Sequence, residues 1–297
     1  GNSWGRTFYT NTQENTRKNI KYSDIWLPFL ASEGKTDLEP INGVFLHGNI
    51  NVTPNDIPSE YFIGEAEAAA NGASKSAGSL RDCAELYTHY LENDFTFNGN
   101  LFKIDFSAIP WCRNNKDYDP FYFPDEGADT HATPGHATAF VMANKSDESN
   151  NTKAYFINVE AVGNTANASL SAKEGEDLLA AGGLIMIKSI TSTTVAENNI
   201  AKGWMIAWFA EMTDNINSLE MNYIKTYDCI NSGIYNYGSE KNTLANSEFK
   251  RFGGPVILAT SIATDSGEKR DGVGFTIDKN TTTLESFVNG TEAWFTI

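Results

Sequence analysis

Short apolar runs recur along this chain, each ended by a cluster of Gly, Asn, Asp or Pro. Runs of that kind, rich in Ile, Val, Phe and Tyr, read as buried strands. They fall at "SDIWLPFLA" (23–31), "GVFLHGNINV" (43–52), "DFTFNGNLFKIDFSA" (94–108), "HATAFVMANKS" (136–146) and "TKAYFINVEAV" (152–162). Further runs are "GGPVILATSIA" (253–263), "GVGFTID" (272–278) and "TEAWFTI" (291–297). The most apolar stretch is "GGLIMIKSITSTTVAENNIAKGWMIAWFAEM" (182–212). A membrane span needs ~20 largely apolar residues in a row, and Lys188, Glu197, Asn198 and Asn199 interrupt this one. It therefore divides into two adjacent core strands, "LIMIKSI" and "GWMIAWFAEM", with "TSTTVAENN" as a polar loop between them, and no membrane partner is expected.

Helical patterning is sparse. "SEYFIGEAEAAANGASKSAG" starts like a helix and dissolves into Gly and Ser, and "LSAKEGEDLLAAGG" suits a short helix stopped by Gly182 and Gly183. In "SLRDCAELYTHYLEND" the spacing of Leu80, Cys83, Ala84, Leu86, Tyr87, Tyr90 and Leu91 predicts a helix, with Ser79 as its N-cap. No solenoid or propeller repeat is evident. Many short strands with frequent turn signals predict an all-β sandwich or jelly roll.

Composition narrows the partners. The 297 residues, 40% of them hydrophobic, suffice for a large core in one or two domains. A formal net charge of −16 opposes direct binding of nucleic acid, which relies on Lys and Arg to neutralise phosphates; "RKNIK" and "FKRF" are short and isolated. Cys83, Cys112 and Cys229 form neither a zinc pattern nor a disulfide framework.

Catalytic signatures of the G-x-S-x-G, H-E-x-x-H and P-loop types are missing. "HATPGH" brings His131 and His136 together across a Pro-Gly turn, as a metal pair or as ordinary loop histidines. "DYDPFYFPDEGADTH" gathers Asp117, Asp119, Asp125, Glu126 and Asp129, the hard oxygen ligands that calcium takes, or else a solvated acidic loop. Glu160, Glu211 and Glu292 sit among aromatics on strand-like segments, but nothing pairs them as the two carboxylates of a glycosidase. Six Asn-x-Ser/Thr triplets occur, a number that chance can supply in so Asn- and Thr-rich a chain.

Taken in order, these features resemble virus coat proteins of the single jelly-roll type, such as the shell domains of nodaviruses and tombusviruses and the related capsids of small single-stranded DNA viruses, including those of diatoms. The likeness rests on three elements. "AELYTHYLENDFTFNGNLFKIDF" is similar to a helix followed at once by a long strand, "GHATAFVMANKSDES" to a strand ending in an acidic turn at Asp147, and 182–212 to a closing strand pair. The resemblance implies an eight-stranded jelly-roll β-sandwich with one or two short helices in its loops. Residues 1–297 would form one shell domain, with 213–297 as a C-terminal extension or projection.

It also implies a non-enzymatic viral capsid protein: a homo-oligomer whose many copies self-assemble into an icosahedral shell, the virion capsid. The packaged viral nucleic acid, a single-stranded genome, would be held by a basic arm before Gly1. Calcium at subunit contacts would be bound by Asp117, Asp119, Asp125, Glu126 and Asp129, and "TSTTVAENN" would be a contact loop. The alternative is a secreted carbohydrate-binding or carbohydrate-cleaving β-sandwich, whose stacking platform would be drawn from Trp4, Trp26, Trp111, Trp204, Trp208 and Trp294. A third is a bacterial adhesin or surface-layer domain, which would not close into a shell.

Overall fold

The computed structural model describes most of residues 43–110 and then 137–144, 152–165, 183–190, 193–211, 218–230, 232–237, 242–252, 255–260, 275–278, 281–286 and 295–296. Its strands fall into three sheets of seven, and every neighbouring pair for which a register is defined runs parallel. The first sheet takes β1 (Gly43–Phe45), β4 (Phe95–Asn98), β7 (Lys153–Ile157), β10 (Thr193–Glu197), β13 (Leu219–Asn222), β16 (Asn242–Ala245) and β19 (Phe275–Asp278). The second takes β2 (Ile50–Asn51), β5 (Lys103–Asp105), β8 (Glu160–Val162), β11 (Ile200–Lys202), β14 (Lys225–Cys229), β17 (Glu248–Phe252) and β20 (Thr281–Ser286). The third takes β3 (Glu85–Leu91), β6 (Ala137–Asn144), β9 (Leu184–Ile190), β12 (Ile206–Glu211), β15 (Ile234–Tyr237), β18 (Ile257–Thr260) and β21 (Phe295–Thr296).

The chain visits the three sheets in rotation, so each triplet of strands is one coil, and seven coils stack into a parallel β-solenoid. The all-β expectation holds. The eight-stranded jelly roll does not describe this architecture: the described residues form 21 strands that pair in parallel, whereas a jelly roll is built from antiparallel Greek keys. Strands after residue 213 continue the same three sheets.

Inward residues stack in columns from coil to coil and build the core, and one such column in each of two sheets is continuous through six coils. In the first sheet the column is Val44, Phe97, Phe156, Ala196, Met221 and Leu244. In the third it is Tyr87, Phe140, Ile187, Trp208, Ile234 and Ile257. Phe97 stacks on Phe156 with centroids 5.2 Å apart, and Phe140 meets both rings edge-on. Volumes compensate within a coil: where the fourth contributes only Ala196 and Ala201, Trp208 fills the interior. Its indole donates to the Thr226 hydroxyl of the next coil (3.1 Å), while Trp204 donates to the Ala161 carbonyl (3.1 Å).

The sheets differ in what they bury. First-sheet strands alternate buried and half-exposed positions, as in β4, β7 and β13, because their outer face meets solvent. Third-sheet strands do not alternate: Leu184, Ile185, Met186 and Ile187 are all buried, as are Ile206 through Ala210. This accounts for the apolar stretch at 182–212. Its two halves are adjacent strands, as expected, but they are parallel β9 and β12, and the intervening "TSTTVAENN" is not a loop. It carries β10 and the turn into β11, and the circuit from β9 to β12 closes through β11.

The same rule corrects the helix expected over 79–94. Residues Glu85–Leu91 are β3, and Leu86, Tyr87 and Leu91 are all buried. A strand without simple alternation imitates helical spacing when only one sequence is read. The helical start at "EAEAAA" does form a short helix, α1 (Glu65–Ala70). The segments at 23–31 and 170–183 expected as strand and helix lie outside the described residues, apart from Gly183.

Candidate binding groove

The turn between the first and second sheets, the first corner, is the most regular part of the solenoid. In four consecutive coils it is two residues long: Asn158 and Val159, Asn198 and Asn199, Tyr223 and Ile224, Asn246 and Ser247. The leading residue always has positive φ, at 54°, 55°, 52° and 51°. L-residues avoid this left-handed region, and Asn is among the few that enter it readily. Three of the four are Asn; the fourth is Tyr223.

The trailing residue points inward and closes the turn. Asn199 accepts from the Val159 amide (2.9 Å) and donates to the Phe156 carbonyl (2.7 Å). Ser247 accepts from the Ile224 amide and donates to the Ala245 carbonyl. The outer asparagines form a ladder along the solenoid axis. Asn158 donates to Asn98 (3.2 Å), Asn198 to Asn158 (2.8 Å), and Asn246 to Asn222 (2.9 Å). Tyr223 interrupts that ladder and is 55% exposed.

An open groove of about 910 Å³ runs along this corner, lined by Asn158, Glu197, Asn198, Tyr223, Lys225 and Glu248 among others. Tyr223 offers an aromatic face, the asparagines offer amides, and the carboxylates accept hydrogen bonds. Beside the groove, Glu248 accepts from the Tyr227 hydroxyl (3.0 Å) and pairs with Lys250. Lys250 holds the Glu248 carboxyl below its ordinary value, and the Tyr227 bond adds to that. Burial, with Glu248 second, pushes the Tyr227 phenol up to about 12.

Few of the residues singled out in the sequence lie here. Asp117, Asp119, Asp125, Glu126 and Asp129, proposed for calcium, lie outside the described residues, as do His131, His136 and Glu292. Among the described residues no cluster of three metal-ligating side chains occurs. Glu160 is on β8 in the second sheet and Glu211 ends β12 in the third, so the fold does not bring these two together as a carboxylate pair on one strand face. Trp204 and Trp208 are completely buried and cannot serve as a surface platform, which corrects that expectation; Trp4, Trp26, Trp111 and Trp294 lie outside the described residues. Cys229 is a free thiol whose burial raises its pKa, and no described helix is long and apolar enough to cross a membrane. The reading of single residues missed Tyr223. Its signal was the run of corner tetrapeptides "INVE", "ENNI", "NYIK" and "ANSE", in which Tyr takes the place of Asn.

Coiled parallel strands define a β-solenoid, and an asparagine-lined groove runs along its first corner. Comparison of the chain with protein-family models, curated proteins and solved structures gives no match.

Proposed function

We propose that this chain is a carbohydrate-binding β-solenoid whose first corner holds a glycan against Tyr223. The observation that carries this reading is the backbone of Tyr223. A bulky L-residue in the left-handed region costs about 1–2 kcal/mol relative to ordinary backbone, and strain of this kind clusters at ligand-binding positions. Here it sets an exposed ring in the groove, in place of an asparagine that would have extended the ladder. A flat aromatic face ringed by amides and carboxylates matches a sugar, with its apolar ring face and its rim of hydroxyls.

The chemistry favours holding over cleaving. A glycosidase needs one carboxyl kept protonated to act as an acid, whereas Glu248 in this groove is ionised and engaged by Lys250 and Tyr227. Affinity electrophoresis in gels cast with neutral polysaccharides tests the reading. Native protein is expected to be retarded and Tyr223→Asn to run freely. Equal mobility of both in every gel would overturn it. Self-assembly into a viral shell, suggested by the order of elements in the sequence, is the competing reading, and closed particles in negative-stain images of the same preparation would favour it.

A further inference from the structure

The groove around Tyr223 occupies only part of the first corner. Large hydrophobic side chains are exposed at four described positions, Phe45, Leu101, Ile200 and Tyr223, and all four belong to this corner. Phe45 ends β1 in the first coil and Leu101 stands in the second coil's turn, itself at φ 66°. Ile200 opens β11 in the fourth coil, and Tyr223 turns the fifth. The third coil adds half-buried Ile157, which is in register with Asn98 and Glu197. Five consecutive coils thus each place one apolar side chain in a narrow band at this corner: Phe45 and Ile157 share a row at the end of the first sheet, Leu101 and Tyr223 stand in the turn, and Ile200 opens the second sheet.

That band is mechanically continuous. The Asn100 side chain donates to the Leu46 carbonyl (2.7 Å), the Leu101 amide to Asn158 (2.8 Å), the Asn198 amide to Asn222 (3.1 Å) and the Tyr223 amide to Ala245 (3.2 Å). The flanking charges compensate. In register beside the corner stand Lys103, Glu160, Ile200, Lys225 and Glu248, two charges of each sign, and Glu197 in the groove adds one more carboxylate, so a polyanion finds no basic track to follow.

Resting on the glycan reading above, we infer that the site is a track along the solenoid axis, that its far end is a second contact point at Phe45 and Leu101, and that its ligand is an extended neutral glycan several sugars long. Successive coils are spaced by about 4.8 Å, the separation of neighbouring strands, close to the length of one hexose unit in an extended chain. From Phe45 to Tyr223 the track covers four such steps, roughly 19 Å. A chain lying along it meets one apolar contact per sugar, while the ladder amides and the flanking Lys and Glu side chains reach its hydroxyls. A ligand lying across the corner would meet only one coil.

The experiment is a length series of neutral β-linked gluco- and manno-oligosaccharides, from disaccharide to octasaccharide, titrated by calorimetry against the native chain and against Phe45→Ser/Leu101→Asn. Native affinity is expected to climb with length and level off near the pentasaccharide to hexasaccharide. The double variant, with Tyr223 intact, should lose about tenfold on the octasaccharide, the equivalent of one good contact, and keep its affinity for the shortest binding sugar. Length-independent affinity, or equal losses on short and long sugars, would overturn the track while leaving a local Tyr223 site standing. Failure of every sugar to bind the native chain would remove both. Concentration-dependent dimerisation abolished by Leu101→Asn would instead assign the band to a second copy of this chain.

Discussion

The first and second corners of this solenoid solve the same problem in opposite ways. At the first, four coils turn in two residues, with one left-handed residue each. At the second, between the second and third sheets, β11 reaches β12 through residues 203–205, whereas β8 and β9 are separated by residues 163–183. Uniform turns stack in register, so their side chains line up along the axis and can meet a polymer. Variable turns absorb insertions and present no common column. Within one scaffold, regularity has gone to the face that carries the candidate site, as in other solenoids whose binding surfaces run along the repeat axis.

The sharpest way to break the second corner is at its closest approach. A Cβ on Gly163 would run into the Gly203 carbonyl of the next coil and lie 2.7 Å from the Trp204 ring. Both neighbours are fixed, one by backbone and the other by the indole bond to Ala161. Gly163→Val is expected to cost about 3 kcal/mol, the upper part of the overpacking range, read as a fall in the urea midpoint. A cost under 1 kcal/mol would mean that the second corner yields as freely as its variable lengths suggest.

At the first corner the inner and outer asparagines should separate cleanly. Asn199→Leu leaves the Val159 amide and the Phe156 carbonyl buried without their partner, a loss of about 2 kcal/mol. Asn198→Gly removes only an exposed ladder bond while keeping a residue that accepts the left-handed backbone, and should change stability by about 0.5 kcal/mol or less. Paired urea titrations decide it. Equal losses at the two positions would show the outer ladder to be as structural as the inner closure.

These energetics also explain what the sequence disclosed. First-sheet strands such as β4 and β7 were legible because one face is wet and their residues alternate. Third-sheet strands were legible as apolar runs but not as strands of a particular kind, and β3 imitated a helix. The repeat was hidden because insertions at the other corners stretch the coils unequally, so Asn158, Asn198, Tyr223 and Asn246 recur at unequal intervals and no fixed period survives. The corner pattern was present in four short words, but only the fold lines those words up. Strands β13 to β17 were passed over for a related reason: each is only four or five residues long and is interrupted by Asn, Asp, Glu, Lys or Arg.

A gentler substitution tests whether the strain at Tyr223 serves binding. Tyr223→Asn restores the residue type of the neighbouring corners and offers a link between Asn198 and Asn246. Stability should rise by about 0.5–1 kcal/mol, part of the left-handed cost of a bulky residue, while retardation by polysaccharide is lost. Such opposed changes are the signature of a strained functional position. A variant that is less stable than the native chain would place Tyr223 among the structural residues.

The smallest effect comes from the charges beside the groove. Glu248 has a folded-state pKa below its ordinary value of 4.5, chiefly through Lys250. Its contribution to stability is therefore present above about pH 4.5 and is lost as pH falls through the lower folded value. Tyr227 is shifted the other way, from 10.0 up to about 12. Its contribution is present below pH 10 and fades as pH rises toward about 12. Both groups keep substantial contact with solvent, so each effect is a fraction of what a buried pair would give. Urea midpoints measured across pH should fall at both ends, and Glu248→Gln should flatten the acid limb because it removes the titrating carboxyl. In the same variant the phenolate absorbance of Tyr227 should still emerge late, since burial outranks Glu248 among the causes of its shift. A phenol that titrates at its ordinary value once Glu248 is neutral would make the carboxylate, and not burial, the group that organises this edge of the groove.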